Sequence, residues 1–220
     1  MLVENHSLKP YRQRVLGTRV LLEVAMRLLD EAGGELQDAT RADRSRRWSE
    51  LPLGFTRNPE PEPELFEFLA VEHRLKPSSI SGDQRIEWTG MPVTVEVPLY
   101  RTEQPLGSVA PPTAYWVPAS WPEVIERLEA HGIDMEIIDR PRDVEVEMYR
   151  LGSPTYGDGP YEGRLRVEAE ATPRTMSRTY ASGSARVPVD QPLGVLATLL
   201  LEPDSPDSFF QWGFFSEVFQ

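Results

Sequence analysis

The chain has 220 residues and a formal net charge of −12, from 35 Asp plus Glu against 23 Lys plus Arg. Hydrophobic residues make up 40% of the sequence and charged residues 26%, as in ordinary globular domains, which excludes wholesale disorder. Proteins that bind the nucleic-acid backbone usually carry a basic face, so this acidic balance predicts no nucleic-acid partner. The absence of cysteine excludes disulfides and thiolate metal sites.

No membrane-spanning segment is predicted, because no apolar run approaches the ~20 residues that a helix needs to cross a bilayer. The apolar stretch Val20–Leu29 is interrupted by Glu23 and Arg27 and does not have the pattern of a signal peptide. We expect a cytoplasmic protein if Met1 is the authentic start. We expect a periplasmic or secreted protein if an upstream part carries a signal.

The first predicted element is a long helix from Leu8 to Ala32, with Gly33-Gly34 as its stop. Ser7 or Lys9 is expected to cap it, with Pro10 in its first turn. Its apolar residues form two adjacent stripes, which are Val15, Leu22, Met26 and Leu29, and Leu21, Ala25, Leu28 and Ala32. So wide an apolar face predicts packing against a substantial body, or association through this face if that body is missing.

A polar connection is predicted from residue 37 to residue 64. It contains the basic run Arg41–Arg47, which we interpret as a solvated loop, and the segment Asn58–Glu64, in which proline and glutamate alternate. This alternation favours extended polyproline-like chain and excludes a central strand. The sequence therefore predicts three parts, which are residues 1–36, a linker at 37–64 and a β-rich part at 65–220.

Most of the β-rich part is predicted to be strand. The segment at 65–71 is rich in strand-forming residues, and the segments at 93–97, 144–148 and 165–169 alternate apolar with polar residues. Alternation of this kind is typical of antiparallel sheets that bury one face and expose the other. Together with the long first helix, these strands predict an α+β fold.

Two further helices are predicted within the β-rich part. Ser120 and Glu123 have the spacing of a capping box, and Gly132 is the expected stop of the helix that follows. Strands are expected on either side of this helix, at 114–117 and 133–138. A second short helix is predicted from Pro192 to Leu201, with a continuous core strand as the alternative.

Other patterns carry little chemistry by themselves. Gly157–Pro160 is predicted to be a turn, and Ser182–Ser184 lacks the spacing of a nucleophile elbow. The last residues, from Ser208 to Gln220, contain six aromatic side chains. We expect these to pack in the core, and the alternative is a stacking surface for a peptide or a sugar.

Three stretches of the sequence resemble one enzyme family. Leu2–Tyr11 resembles the closing segment of the catalytic domain in bacterial zinc carboxypeptidases of the carboxypeptidase A-like family. Ala114–Ile133, and Leu199–Ser208 followed by Trp212–Phe215, are similar to segments that follow the catalytic domain in such proteins. The resemblance implies that the first part of the chain is the last strand and helix of a peptidase domain, followed by a β-rich accessory domain.

The resemblance also implies a catalytic role for Glu4, as the general acid/base that takes a proton from a zinc-bound water. It implies zinc and a peptide substrate for the full-length parent. Such enzymes bind zinc through a His-x-x-Glu pair and a distant histidine, and none of His6, His73 and His131 begins such a pair. We therefore expect no zinc bound to this chain, and no activity of the chain alone.

Two alternatives stay open. The first alternative is that the chain is a stand-alone, non-enzymatic module that binds through its β-rich part, and its first helix would then pack on that part. The second is that the chain associates with a separate catalytic polypeptide and supplies Glu4 in trans. The sequence does not indicate which C-terminal side chains the parent enzyme prefers.

Overall fold

The computed structural model describes residues 3–5, 9–57, 62–100 and 103–220. One long helix, two short helices and mainly antiparallel sheets make an α+β protein, which confirms the predicted fold class. The described elements, in chain order, are α1 (Tyr11–Ser45), β1 (Leu51–Arg57), β2 (Glu64–Pro77), β3 (Gln84–Leu99), β4 (Glu103–Val109), β5 (Ala114–Val117), α2 (Pro122–Ala130), β6 (Glu136–Ile137), β7 (Arg142–Leu151), β8 (Thr155–Tyr156), β9 (Val167–Glu168), β10 (Ala171–Tyr180), β11 (Ala185–Pro188), α3 (Gly194–Leu201) and a 3₁₀ helix (Ser216–Phe219).

The first helix is longer than predicted. α1 has 35 residues and continues through Gly33-Gly34 to Ser45, so the predicted stop is wrong. A glycine inside a helix costs about 1 kcal/mol relative to alanine, and the strong helix formers around this pair outweigh that cost. The helix ends where Arg46 becomes extended, with φ −67° and ψ 135°. Much of the predicted linker at 37–64 is therefore regular structure, since α1 and β1 both occupy parts of it.

The start of α1 also differs from the prediction. Pro10 is the residue at the N-cap, and no side chain makes a capping hydrogen bond there, so Lys9 is not the cap. Ser7, the other expected cap, lies outside the described residues.

No helix in the described part of the chain is long and apolar enough to cross a membrane.

The chain divides into two compact units, Pro52–Val109 and a larger unit of Met1–Leu51 with Ala110–Gln220. The two units are defined by contacts within this chain. They do not test whether residues 1–36 belong to a peptidase domain, which stays a prediction. In the smaller unit, β1 pairs with β4 and β2 pairs with β3. The predicted strands at 65–71 and 93–97 pair with each other in the long antiparallel β2–β3 hairpin.

The hydrophobic core lies in the larger unit. There β11 is the middle strand of a three-stranded sheet, between β5 and β6, and α2, α3 and the C-terminal turns pack against it. Its buried residues are Val117, Val124, Leu128, Ile133, Ala185, Val187, Ala197 and Phe209. The alternating strand predicted at 144–148 lies in β7, which pairs with β10.

The two short helices, α2 and α3, follow the predicted pattern, but the capping box does not form. Trp121 is the N-cap of α2 in place of Ser120, and its indole has no acceptor with which to cap the helix. The Glu123 carboxylate pairs with Arg127 and Arg164. Gly132 follows the helix with φ +76°, a conformation that favours glycine, and ends it as predicted. α3 confirms the second predicted helix and excludes the alternative strand.

Two predicted strands are much shorter in the structure. The segment at 165–169 contains only the two-residue β9, and the segment at 133–138 contains only the two-residue β6. The first is short because the chain pairs locally with the C-terminal turns, where the Val167 N–H donates to the Gln211 carbonyl. An alternating sequence therefore indicates which residues are buried, but not how far the strand ladder extends.

Gly194, the first residue of α3, is required by the close approach of another backbone segment. A Cβ added at this position would lie 1.8 Å from the Val189 carbonyl oxygen. We predict that Gly194→Ala lowers the free energy of unfolding by about 3 kcal/mol, because the backbone must move to relieve the overlap. Urea unfolding followed by circular dichroism measures this loss.

The matched control for this substitution is Gly159→Ala. Gly159 has no heavy atom within 4 Å of an added Cβ, and its backbone φ is not positive. The control variant should unfold like the wild type. Equal stability of the two variants would contradict the close approach of Val189 to α3.

Candidate functional site

Glu4, the predicted acid/base, lies on a short segment that precedes α1. Val3–Asn5 is not in a strand, and the Glu4 side chain is exposed, with no hydrogen bond or ion pair to another described residue. The neighbouring Asn5 holds the segment, because its side-chain amide donates to the Thr18 hydroxyl oxygen over 2.6 Å. Thr18 in turn donates to the Arg14 carbonyl over 3.0 Å. The first turns of α1, through Thr18, therefore position the segment that carries the Glu4 carboxylate.

The described residues do not fit a zinc site. Among residues 3–5, 9–57, 62–100 and 103–220, no group of three His, Cys, Asp or Glu side chains is placed to hold a metal ion. The His73 ring lies 5.6 Å from the ring of Trp88, and His131 Nδ1 lies 2.6 Å from the Arg127 carbonyl oxygen at the end of α2. His6 lies outside the described residues.

A buried carboxylate that the sequence analysis missed joins three elements of the larger unit. Glu202, at the end of α3, is 3% exposed. It accepts a hydrogen bond from the Tyr115 hydroxyl of β5 over 2.5 Å and one from the Tyr149 hydroxyl of β7 over 2.7 Å. Each carboxylate oxygen thus has a phenol donor, as a buried charge requires. The only signal in the sequence is a single acid directly after an apolar helix.

Both phenols of this cluster are held in their protonated form. Burial is the main cause that raises the pKa of Tyr115 and of Tyr149, and the hydrogen bonds to Glu202 add to it. Proton exchange by these phenols at neutral pH is therefore unfavourable. The cluster stabilises the fold by fixing the end of α3 against β5 and β7.

We predict that Tyr115→Phe lowers the free energy of unfolding by about 1–3 kcal/mol, because it leaves one oxygen of the buried Glu202 carboxylate without this donor. Thermal unfolding of the full chain measures the change. Tyr156→Phe is the matched control, because Tyr156 is 43% exposed and its hydroxyl is in no hydrogen bond with a described residue. An equal loss in both variants would contradict a special role for the Glu202 cluster.

The same cluster predicts a loss of stability at alkaline pH. Tyrosine in an unfolded chain ionises near pH 10, whereas folding raises the pKa of Tyr115 and Tyr149 above that value. The stabilisation is therefore complete below about pH 10 and is lost as the pH rises further, since the unfolded chain then binds fewer protons. Melting temperatures measured across this range should fall less steeply in a Tyr115→Phe/Tyr149→Phe variant. Equal slopes would contradict the prediction.

A cavity of about 320 Å³ opens beside the end of α1. Its walls include the Trp48 ring, Val195 and prolines 111, 112 and 192. The Arg46 guanidinium stacks on Trp48 at 3.8 Å from the ring centroid, and Arg47 Nε lies 2.5 Å from Asp190 Oδ1 at the rim. The basic run predicted to be a solvated loop is thus partly helix and partly cavity wall.

The C-terminal aromatic residues pack into the larger unit, as predicted. Phe209 and Phe210 are buried. The Phe209 and Phe214 rings make an edge-to-face contact at 5.1 Å between centroids, and Phe215 makes a similar contact with Trp121 at 5.0 Å. These residues hold the chain end on α2 and the core sheet, which favours packing over an open stacking surface.

Comparison with known proteins gives partial similarity to fungal peptidases. The chain is 31% identical to "Carboxypeptidase 2" of Trichophyton tonsurans over 102 residues, which is 46% of this chain and 19% of that protein. It is 31% identical to "Carboxypeptidase 2" of Trichophyton rubrum over 110 residues, 50% of this chain and 20% of that protein. The match to "Probable carboxypeptidase 2" of Arthroderma benhamiae has 28% identity over 96 residues, 44% of this chain and 18% of that protein.

The chain spans about a fifth of the length of the curated relatives it matches. No protein-family profile and no solved structure matches it. The similarity supports a carboxypeptidase-like relationship, with fungal relatives where the sequence analysis compared the chain with bacterial ones.

Proposed function

We propose that the chain is the C-terminal portion of a carboxypeptidase-like peptidase, with residues 1–36 ending its catalytic domain and residues 65–220 serving as an accessory region. The observation that carries this proposal is the 31% identity, over about half of the chain, to proteins named Carboxypeptidase 2. The substrate proposed for the complete enzyme is a peptide, from which it removes the C-terminal residue.

The exposed surface of α1 supports this proposal over a stand-alone binding module. A stand-alone module requires α1 to pack on the β-rich part, yet none of the 35 residues of α1 is buried. Val20 is 59% exposed, Met26 64% and Leu28 57%, on a helix whose apolar residues surround much of its circumference. A helix of this kind is normally buried in a core. We place that core in the catalytic part of the peptidase.

In this proposal Glu4 is the general acid/base of the complete enzyme. Its carboxylate is accessible, and the Asn5–Thr18 hydrogen bond fixes the segment that carries it. A carboxylate in this position takes a proton from the attacking water and returns it to the leaving amine. Zinc is proposed for the complete enzyme as the resemblance implies, with ligands other than the described residues.

We predict that the isolated chain releases no C-terminal amino acid from peptides, even with added Zn²⁺, whereas the polypeptide encoded by the whole gene does. In that polypeptide, Glu4→Gln should lower kcat by about 10²–10⁴-fold, because loss of a general acid/base costs that much. Release of the terminal residue from peptides ending in basic, acidic or aromatic side chains is the measurement.

Glu126→Gln is the matched control for Glu4→Gln, because Glu126 lies on α2 in the accessory region. It should leave kcat unchanged. Peptidase activity of the isolated chain, or full activity of the Glu4→Gln enzyme, would overturn the role assigned to Glu4. A complete polypeptide without peptidase activity would overturn the proposed function itself.

A further inference from the structure

The β2–β3 hairpin exposes apolar side chains on both faces. β2 has 14 residues and β3 has 16, and neither strand contains a buried residue. In β2, Leu65 is 64% exposed, Leu69 83% and Leu75 63%. A two-stranded hairpin alone is marginally stable in water, and an apolar patch of this kind marks a contact surface.

The two outer edges of the hairpin are not equivalent. Pro92 and Pro98 of β3 lie opposite Val71 and Leu65 of β2. A proline has no N–H to donate, so within a paired strand it occupies a position whose N–H would point away from the partner strand. Pro92 and Pro98 therefore leave gaps in the row of N–H donors along the outer edge of β3. The residues opposite them, Leu65 and Val71, then direct their own N–H and C=O groups to the outer edge of β2, as do Glu67 and Leu69 between them, whereas the register shifts between Val71 and His73. In the described part of the chain, β2 pairs with β3 alone, so this edge is open.

The charges along β2 are arranged with opposite signs at its two ends. Glu64 and Glu67 lie in the first half of the strand, and Arg74 and Lys76 lie near its end, with Glu72 between the two pairs. Lys76 also pairs with Glu87 of β3 over 2.6 Å. A strand with this pattern is complementary to a second copy of itself that runs in the opposite direction, and repels a parallel copy.

We propose that β2 pairs edge to edge with β2 of a second copy of this chain, in antiparallel orientation, which forms a four-stranded sheet with the two β3 strands outermost. Registers centred on Leu69 or Ala70 place Glu64 opposite Arg74 or Lys76 of the second copy. The contact is isologous, so each charge pair forms twice, and the prolines of β3 end the sheet on both sides. The proposal is independent of the peptidase activity.

The hydrogen bonds across this edge can be tested with two matched proline substitutions. Leu69 and Thr94 lie opposite each other in the hairpin, and both direct their N–H groups outward, one to each edge. Leu69→Pro should therefore convert the dimer to monomer in sedimentation equilibrium, at the concentration where the wild-type chain is half dimeric. Thr94→Pro should leave the dimer intact, because it alters the edge that is already interrupted. A monomeric wild type, or equal behaviour of the two variants, would overturn the proposal.

Charge reversal provides a second measurement that does not depend on a proline. Glu64→Lys/Glu67→Lys should weaken the dimer at least tenfold at low salt, and Arg74→Glu/Lys76→Glu should do the same, because each places residue 64 opposite a like charge at residue 74 or 76 of the second copy. All four substitutions together restore opposite charges and should restore the wild-type dissociation constant. A fourfold variant no tighter than the two double variants would overturn the antiparallel arrangement.

Discussion

The larger unit depends on the bridge from the Glu202 carboxylate to the Tyr115 and Tyr149 hydroxyls. This bridge joins the end of α3 to β5 and to β7, which belong to different sheets. A buried carboxylate is costly unless its oxygens accept hydrogen bonds, so the two phenols must be in place for α3 to end where it does. The close approach of Gly194 to Val189 fixes the other end of the helix. With both ends held, α3 covers the core sheet together with α2 and Phe209.

Two other parts of the chain have the opposite character. α1 and the β2–β3 hairpin are long and carry many exposed apolar side chains, and neither contains a buried residue. α1 and the hairpin differ in the pattern of their charged and apolar residues, and we assign a different partner to each. α1 is apolar around much of its circumference, which suits the interior of a larger domain, whereas β2 carries a self-complementary charge pattern along an open edge.

How far the sequence predicts the structure depends on whether an element is determined locally. Local composition, periodicity and stop signals identified α2, α3 and the strands of the β2–β3 hairpin, because each of these elements is determined by residues close together in the sequence. The stop expected at Gly33-Gly34 failed because a weak local penalty competes with strong helix formers on both sides. The Glu202 cluster joins residues 53 and 87 positions apart, which no local pattern reveals. Glu4 was identified through family resemblance alone, and its local geometry adds the anchoring role of Asn5.

The central claim is that this chain is one part of a carboxypeptidase-like enzyme, and the most direct test is the coding sequence that precedes Met1. We predict an open frame that continues upstream and encodes a His-x-x-Glu pair followed by a distant histidine, the ligand set that zinc peptidases need. Sequencing the transcript across this region decides between the two outcomes. An in-frame stop directly before Met1 would contradict the account and leave a non-enzymatic binding module as the better description.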